Sequence, residues 1–147
     1  MRSRLWRPLL VISLALTCKD TGPGTLNVAG TWLVSQNWNA DSVSCTFAAE
    51  SLFVTQMDTA LSGLVRSGLG TCTLAGVQSP PLAQAAGSLS NAFLKGRAIA
   101  FDITQQLHYQ GLVTGGVATG TLSGASVFGP PINHGVALTG NWTATRQ

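Results

Sequence analysis

Gly30-Thr31-Trp32 and Gly140-Asn141-Trp142 decide how this chain of 147 residues is read. In each, a glycine stands two residues before a tryptophan, so both fall on one face of an extended strand, where side chains alternate. Around the second, Val136, Leu138, Gly140, Trp142, Ala144 and Arg146 share one face. Ala137, Thr139, Asn141, Thr143 and Thr145 share the other. Around the first, Leu26, Val28, Gly30, Trp32 and Val34 alternate with Asn27, Ala29, Thr31 and Ser35, with Leu33 the exception. If these two strands pair, the first closes on the last and the sheet becomes a barrel.

The stretch between them predicts further short strands. A hairpin is expected over residues 50–66, turning at Met57-Asp58-Thr59, and a strand carrying Cys72 over 69–75. Strand pattern resumes at 92–95 and is strongest at 98–104, followed by strands over 107–113 and 117–123 joined at Thr114-Gly115-Gly116. Residues 37–47, 77–87 and the Pro/Gly run 129–135 read as long connections. A phrase of the form Leu-Ser-Gly or Leu-Thr-Gly recurs at residues 61–63, 122–124 and 138–140, with Leu-Ala-Gly at 74–76. Its glycines suit the sharp bends of a small barrel. The expected fold is all-β: an up-and-down antiparallel barrel of about eight strands with the first and last paired.

Composition agrees with strands. Charged residues are 9% of the chain, against about 25% in an average domain. Arg2, Arg4 and Arg7 precede the apolar run from Leu9 to Leu16, a charged and then a hydrophobic region too short to span a bilayer as a helix. Residues 1–17 are therefore expected to be an export signal. Its removal takes three arginines and no acid, leaving five basic against five acidic residues. The basic charge belongs to the signal, which removes the main support for a nucleic-acid partner.

The stretch Leu14-Ala15-Leu16-Thr17-Cys18 resembles a bacterial lipobox, departing from it at Thr17, where glycine or alanine is usual. The resemblance implies a lipid on Cys18, residues 18–25 as a flexible tether, and residues 26–147 as a barrel domain held at a membrane of the cell envelope. The alternative is an ordinary secretory signal. Cys45 and Cys72 then form an even pair, expected as a disulfide that stabilises by roughly 3–4 kcal/mol. Two cysteines without nearby histidines make a poor zinc set.

The barrel pattern with Gly30 and Trp32 on its first strand is similar to the calycins, the lipocalins and avidins. That resemblance implies Arg146 as a basic lid stacked over Trp32, with Gly30, Trp32, Trp142 and Arg146 packing one barrel end. It also implies a small apolar ligand inside, lined by Trp32, Val54, Phe101, Tyr109, Leu138 and Trp142, with Trp38 on a loop at the mouth. The other reading of these residues is a solid core, which makes the protein a structural or protein-interaction module of the envelope.

Catalysis has little to work with. No Gly-x-Ser-x-Gly elbow, phosphate loop or metal-ligand cluster is present, and no cofactor is implied. Asp102 and His108 are expected to face each other across a hairpin, on the face opposite Ile103 and Tyr109 and so outside the barrel. A monomeric, non-enzymatic protein is the expectation. A barrel spanning the outer membrane would need an apolar outer face, and the Thr/Asn face of the last strand does not supply one.

Overall fold

The computed structural model describes residues 26–66, 68–83, 86–103, 106–127 and 135–147. The expected export signal, lipidated Cys18 and tether lie outside these residues, as does the expected 129–135 connection except for Gly135, which begins the last strand. Among the described residues there are eleven strands: β1 (Gly30–Ala40), β2 (Val43–Met57), β3 (Ala60–Arg66), β4 (Leu69–Leu74), β5 (Val77–Gln78), β6 (Leu82–Ala83), β7 (Gly87–Lys95), β8 (Ala98–Ile103), β9 (Leu107–Thr114), β10 (Val117–Val127) and β11 (Gly135–Arg146). Eight of them close into an antiparallel barrel in the order β1, β11, β10, β9, β8, β7, β3, β2 and back to β1. β4 extends the line of β3 along the first half of β2, and β5 and β6 pair with β4.

The seam joins the two tryptophan strands. β1 and β11 pair with Trp32 opposite Arg146 and Gln36 opposite Trp142. Trp32, Val34, Trp38 and Ala40 on β1 are buried, as are Leu138, Trp142 and Ala144 on β11. Alternation thus carries both strands into one core, which all the barrel strands share.

β1 runs longer than expected. Residues 37–47 are not a loop: β1 continues to Ala40, turns at Asp41 and Ser42, and β2 starts at Val43. Asn37 and Asn39 face outward while Trp38 faces in, so the strand tolerates two asparagines on its wet side. Asp41 supplies the turn with φ 53, a left-handed conformation that aspartate tolerates. The 77–87 stretch likewise contains two short pairings, Thr73 with Gln78 and Gly70 with Leu82.

Two devices bend the sheet. At Gly120 a Cβ would lie 1.8 Å from the carbonyl oxygen of Gln110, and at Gly140 one would lie 2.0 Å from that of Asn37. Only glycine permits neighbouring strands to coil together so closely. The second device is a bulge: the β1–β2 register shifts between Val34 and Gln36, opposite Ala49 at φ 57. Cys45 and Cys72 are register partners on β2 and β4, with Cα atoms 4.0 Å apart and their sulfurs bonded.

Candidate functional site

The residues expected to line a ligand cavity all point inward, but they fill the space. Trp32, Val54, Phe101 and Trp142, with five neighbours, surround a void of about 10 Å³, room for one water molecule at most. Phe101 stacks on Tyr109 at 4.8 Å and 9°, and Trp142 meets both rings edge-on at 5.5 and 6.0 Å. The Trp142 indole N–H donates to the carbonyls of Gln110 and Thr121, at 3.2 and 3.1 Å. Leu138 is buried nearby in the same core. Trp38 is not at a mouth: it is buried within β1 and stacks on Phe47.

The seam end is built by backbone capture. Arg146 Nη1 donates to the carbonyl of Asn27 at 3.1 Å and Nη2 to that of Ala29. The guanidinium passes over Gly30, whose hypothetical Cβ would lie 3.4 Å from Nε. Trp32 Nε1 donates to the carbonyl of Val28 at 2.9 Å. Arg146 and Trp32 thus tie the segment before β1 to both strands of the seam at one end.

One buried carboxyl breaks the apolar interior. Glu50 lies just past the bulge, on the same face as Leu52 and Val54, and is 1% exposed. Its Oε2 accepts from Gln36 Nε2 at 2.5 Å, and Gln36 Oε1 accepts from the Tyr109 hydroxyl at 2.8 Å. Glu50 Oε1 has no hydrogen-bond partner among the described residues. Burial pushes the carboxyl up from 4.5 to about 7, and the Gln36 bond offsets only part of that. Removing the buried hydroxyl by Tyr109→Phe is expected to cost about 1–2 kcal/mol in a urea titration, because it deletes the buried hydrogen bond to Gln36.

A wider concavity lies outside the barrel. It is an open trough of about 730 Å³ over β7, β8, β9 and β10. Registers define its shape. Phe93 stands opposite Ala100, Ala100 opposite Gln110, and Gln110 opposite Thr121. One pleat along, Ala98 stands opposite Leu112. Phe93 and Leu112 are 48% and 58% exposed and stand on opposite sides of the two alanines, one pleat apart, with Gln110 across from Phe93 and Lys95 across from Leu112.

Asp102 and His108 close one end of this slot. They are register partners, and His108 Nδ1 lies 2.6 Å from Asp102 Oδ1. Asn91 Nδ2 donates to the other carboxylate oxygen at 2.7 Å. Burial alone would raise the Asp102 carboxyl; the bonds from Asn91 and His108, with the imidazole's charge, outweigh it and hold it below its ordinary value. Asn91 reaches Asp102 because β7 carries an extra residue between Ser90 and Phe93, with Asn91 itself at φ 48. With Asp102 ionised, the imidazole Nδ1 donates to it.

No family model, curated protein or solved structure matches the chain. Geometry alone therefore carries the functional argument. Among the described residues no helix is long and apolar enough to cross a membrane, and no three histidine, cysteine, aspartate or glutamate side chains gather as a metal set. Ser123 stands opposite His108, so Asp102, His108 and Ser123 fall in one outward row. Asp102 orients the imidazole in that row. The β9 and β10 amides beside it pair with each other in the ladder, which leaves no preorganised donor pair for an oxyanion.

Sequence reasoning placed the Asp102–His108 pair but missed Asn91, Glu50 and the slot. The signal for Glu50 was available: it alternates in step with Leu52 and Val54, which puts it inside.

Proposed function

We propose that the protein is a non-enzymatic interaction module of the bacterial cell envelope, tethered through a lipid on Cys18, with a solid barrel core. It contacts its partner through the outer slot of β7–β10. The filled interior carries this reading. Phe101, Tyr109 and Trp142 pack on one another, and the void of about 10 Å³ between them and Trp32 is far below the roughly 300 Å³ of an ordinary ligand pocket. The calycin-like architecture supports the scaffold role, in which a rigid barrel presents a surface.

Two experiments test this. Photo-crosslinking groups placed in cells at positions 93 and 112 are expected to give a discrete adduct, and groups at 46 and 143, elsewhere on the outer face, none. Equal labelling at all four positions, or none at the slot, contradicts the reading. Mass spectrometry of the membrane-fraction protein is expected to find an acylated N-terminal Cys18. An unmodified thiol there removes the anchor.

A further inference from the structure

We infer that the barrel stands on its membrane with one rim down, the rim of the β2–β3, β7–β8 and β9–β10 turns, whose cations Lys95, Arg97 and Arg146 meet anionic phospholipid headgroups. The inference rests on the lipid anchor at Cys18. It follows from where the chain enters the barrel and from how the charges divide between its two rims.

Hydrogen bonds fix the entry point. The carbonyl of Leu26 accepts from Gln56 Nε2 at 2.9 Å, and the Val28 amide donates to Gln56 Oε1 at 2.7 Å. Gln56 Nε2 also donates to the carbonyl of Asp58 at 2.8 Å, in the β2–β3 turn. The chain that follows Cys18 therefore arrives beside that turn. Backbone bonds carry the same rim around the barrel: Leu94 donates to Thr59, Val113 to Arg97 and Arg146 to Gly116. Cys18 precedes Leu26 by eight residues, a reach of at most about 28 Å. A tilted strand as long as β1 covers about 25–30 Å of barrel height. The opposite rim could reach the lipid only with the whole tether extended along the wall.

The charges divide the same way. Among the described residues, this rim holds Lys95, Arg97 and Arg146 against one acid, Asp58. Asp41 and Asp102 lie toward the opposite rim with Arg66 and His108, and Glu50 is inside. The one ion pair among the described residues, His108 with Asp102, is also at that opposite end, so no carboxylate neutralises the three cations. Arg97 is held by the Val113 carbonyl at 3.0 Å and by Thr114 Oγ1, and Arg146 by the carbonyls of Asn27 and Ala29. Neutral acceptors position these guanidiniums without cancelling their charge. Met57, 80% exposed, adds an apolar chain to the same rim, and Val117 a second. Cations beside exposed apolar side chains match a bilayer surface, where phosphates overlie acyl chains. Each cation near an anionic leaflet contributes about a fivefold preference.

The test attaches a fluorophore to the lipidated protein in vesicles and reads its quenching by headgroup-labelled lipid. Thr59→Cys and Gln147→Cys place it on the cationic rim, and Asn39→Cys and Ser123→Cys toward the opposite one. In vesicles of phosphatidylglycerol and phosphatidylethanolamine, quenching at 59 and 147 is expected to exceed that at 39 and 123 several-fold. That excess should be largely lost in phosphatidylcholine vesicles, an arm that needs no charge variant, and in the anionic vesicles for Lys95→Glu with Arg97→Glu. Equal quenching at all four positions, on protein that still floats with the vesicles, overturns the rim-down orientation and leaves the anchor standing. An excess undiminished by the charge reversal or by phosphatidylcholine assigns the orientation to the tether alone and overturns the role of the cations. Protein that does not float with the vesicles contradicts the anchor itself, and the inference with it.

Discussion

Trp142→Ala is expected to lower unfolding stability by about 4 kcal/mol, within the range for deleting a buried aromatic. Three separate losses combine there. The indole is 2% exposed and touches Phe101 and Tyr109 edge-on. Its N–H holds the carbonyls of Gln110 and Thr121, on β9 and β10, from a third strand. The ring also fills the space left by Gly111, whose Cβ would come within 2.8 Å of it. The vacated volume cannot collapse, because the glycine-bent strands already approach each other at backbone distance. For a domain whose whole stability is about 5–15 kcal/mol, the variant should unfold well below the native midpoint in guanidinium.

Glu50→Gln should do the opposite, and only above a particular pH. The native carboxyl titrates near 7 and the unfolded one near 4.5, so between these values the folded state keeps a proton that the unfolded chain has released. Stability therefore falls as pH rises through that window, by about 3 kcal/mol in all at about 1.4 kcal/mol per pKa unit. Glutamine keeps the acceptor for Gln36 and carries no charge at any pH. The variant should match the native protein at pH 4.5 and exceed it by about 2–3 kcal/mol at pH 8. Equal stability of the two at pH 8 would mean that the carboxylate is well solvated in the fold. Asp102, held below its ordinary value, acts in the reverse sense: its contribution is present above pH 3.8 and is lost as pH falls below it.

The barrel was legible because its information is periodic. Gly30-Thr31-Trp32 and Gly140-Asn141-Trp142 carry strict alternation over their strands, and alternation fixes which side chains share a face. The misread 37–47 segment has the same alternation, hidden by asparagines that belong to turns more often than strands. The slot was not legible. It arises from the registers of β7, β8 and β9 and from one extra residue near Asn91, and a strand's pattern does not state its register with a neighbour. The solid interior was also out of reach, since inward aromatics read alike whether they line a cavity or fill one. Only the distances between Phe101, Tyr109 and Trp142 separate those cases.

The central claim is that the barrel interior is closed to ligands and that contact is made outside. The indole N–H signals of Trp32 and Trp142 report on it most directly, because Trp32 bonds to Val28 and Trp142 to Gln110 and Thr121 within the core. In a titration of the protein with a long-chain fatty acid and with 1-N-phenylnaphthylamine, both indole signals are predicted to stay in place up to probe saturation. A saturable shift of either indole would mean that an apolar molecule enters the barrel, and would contradict the account.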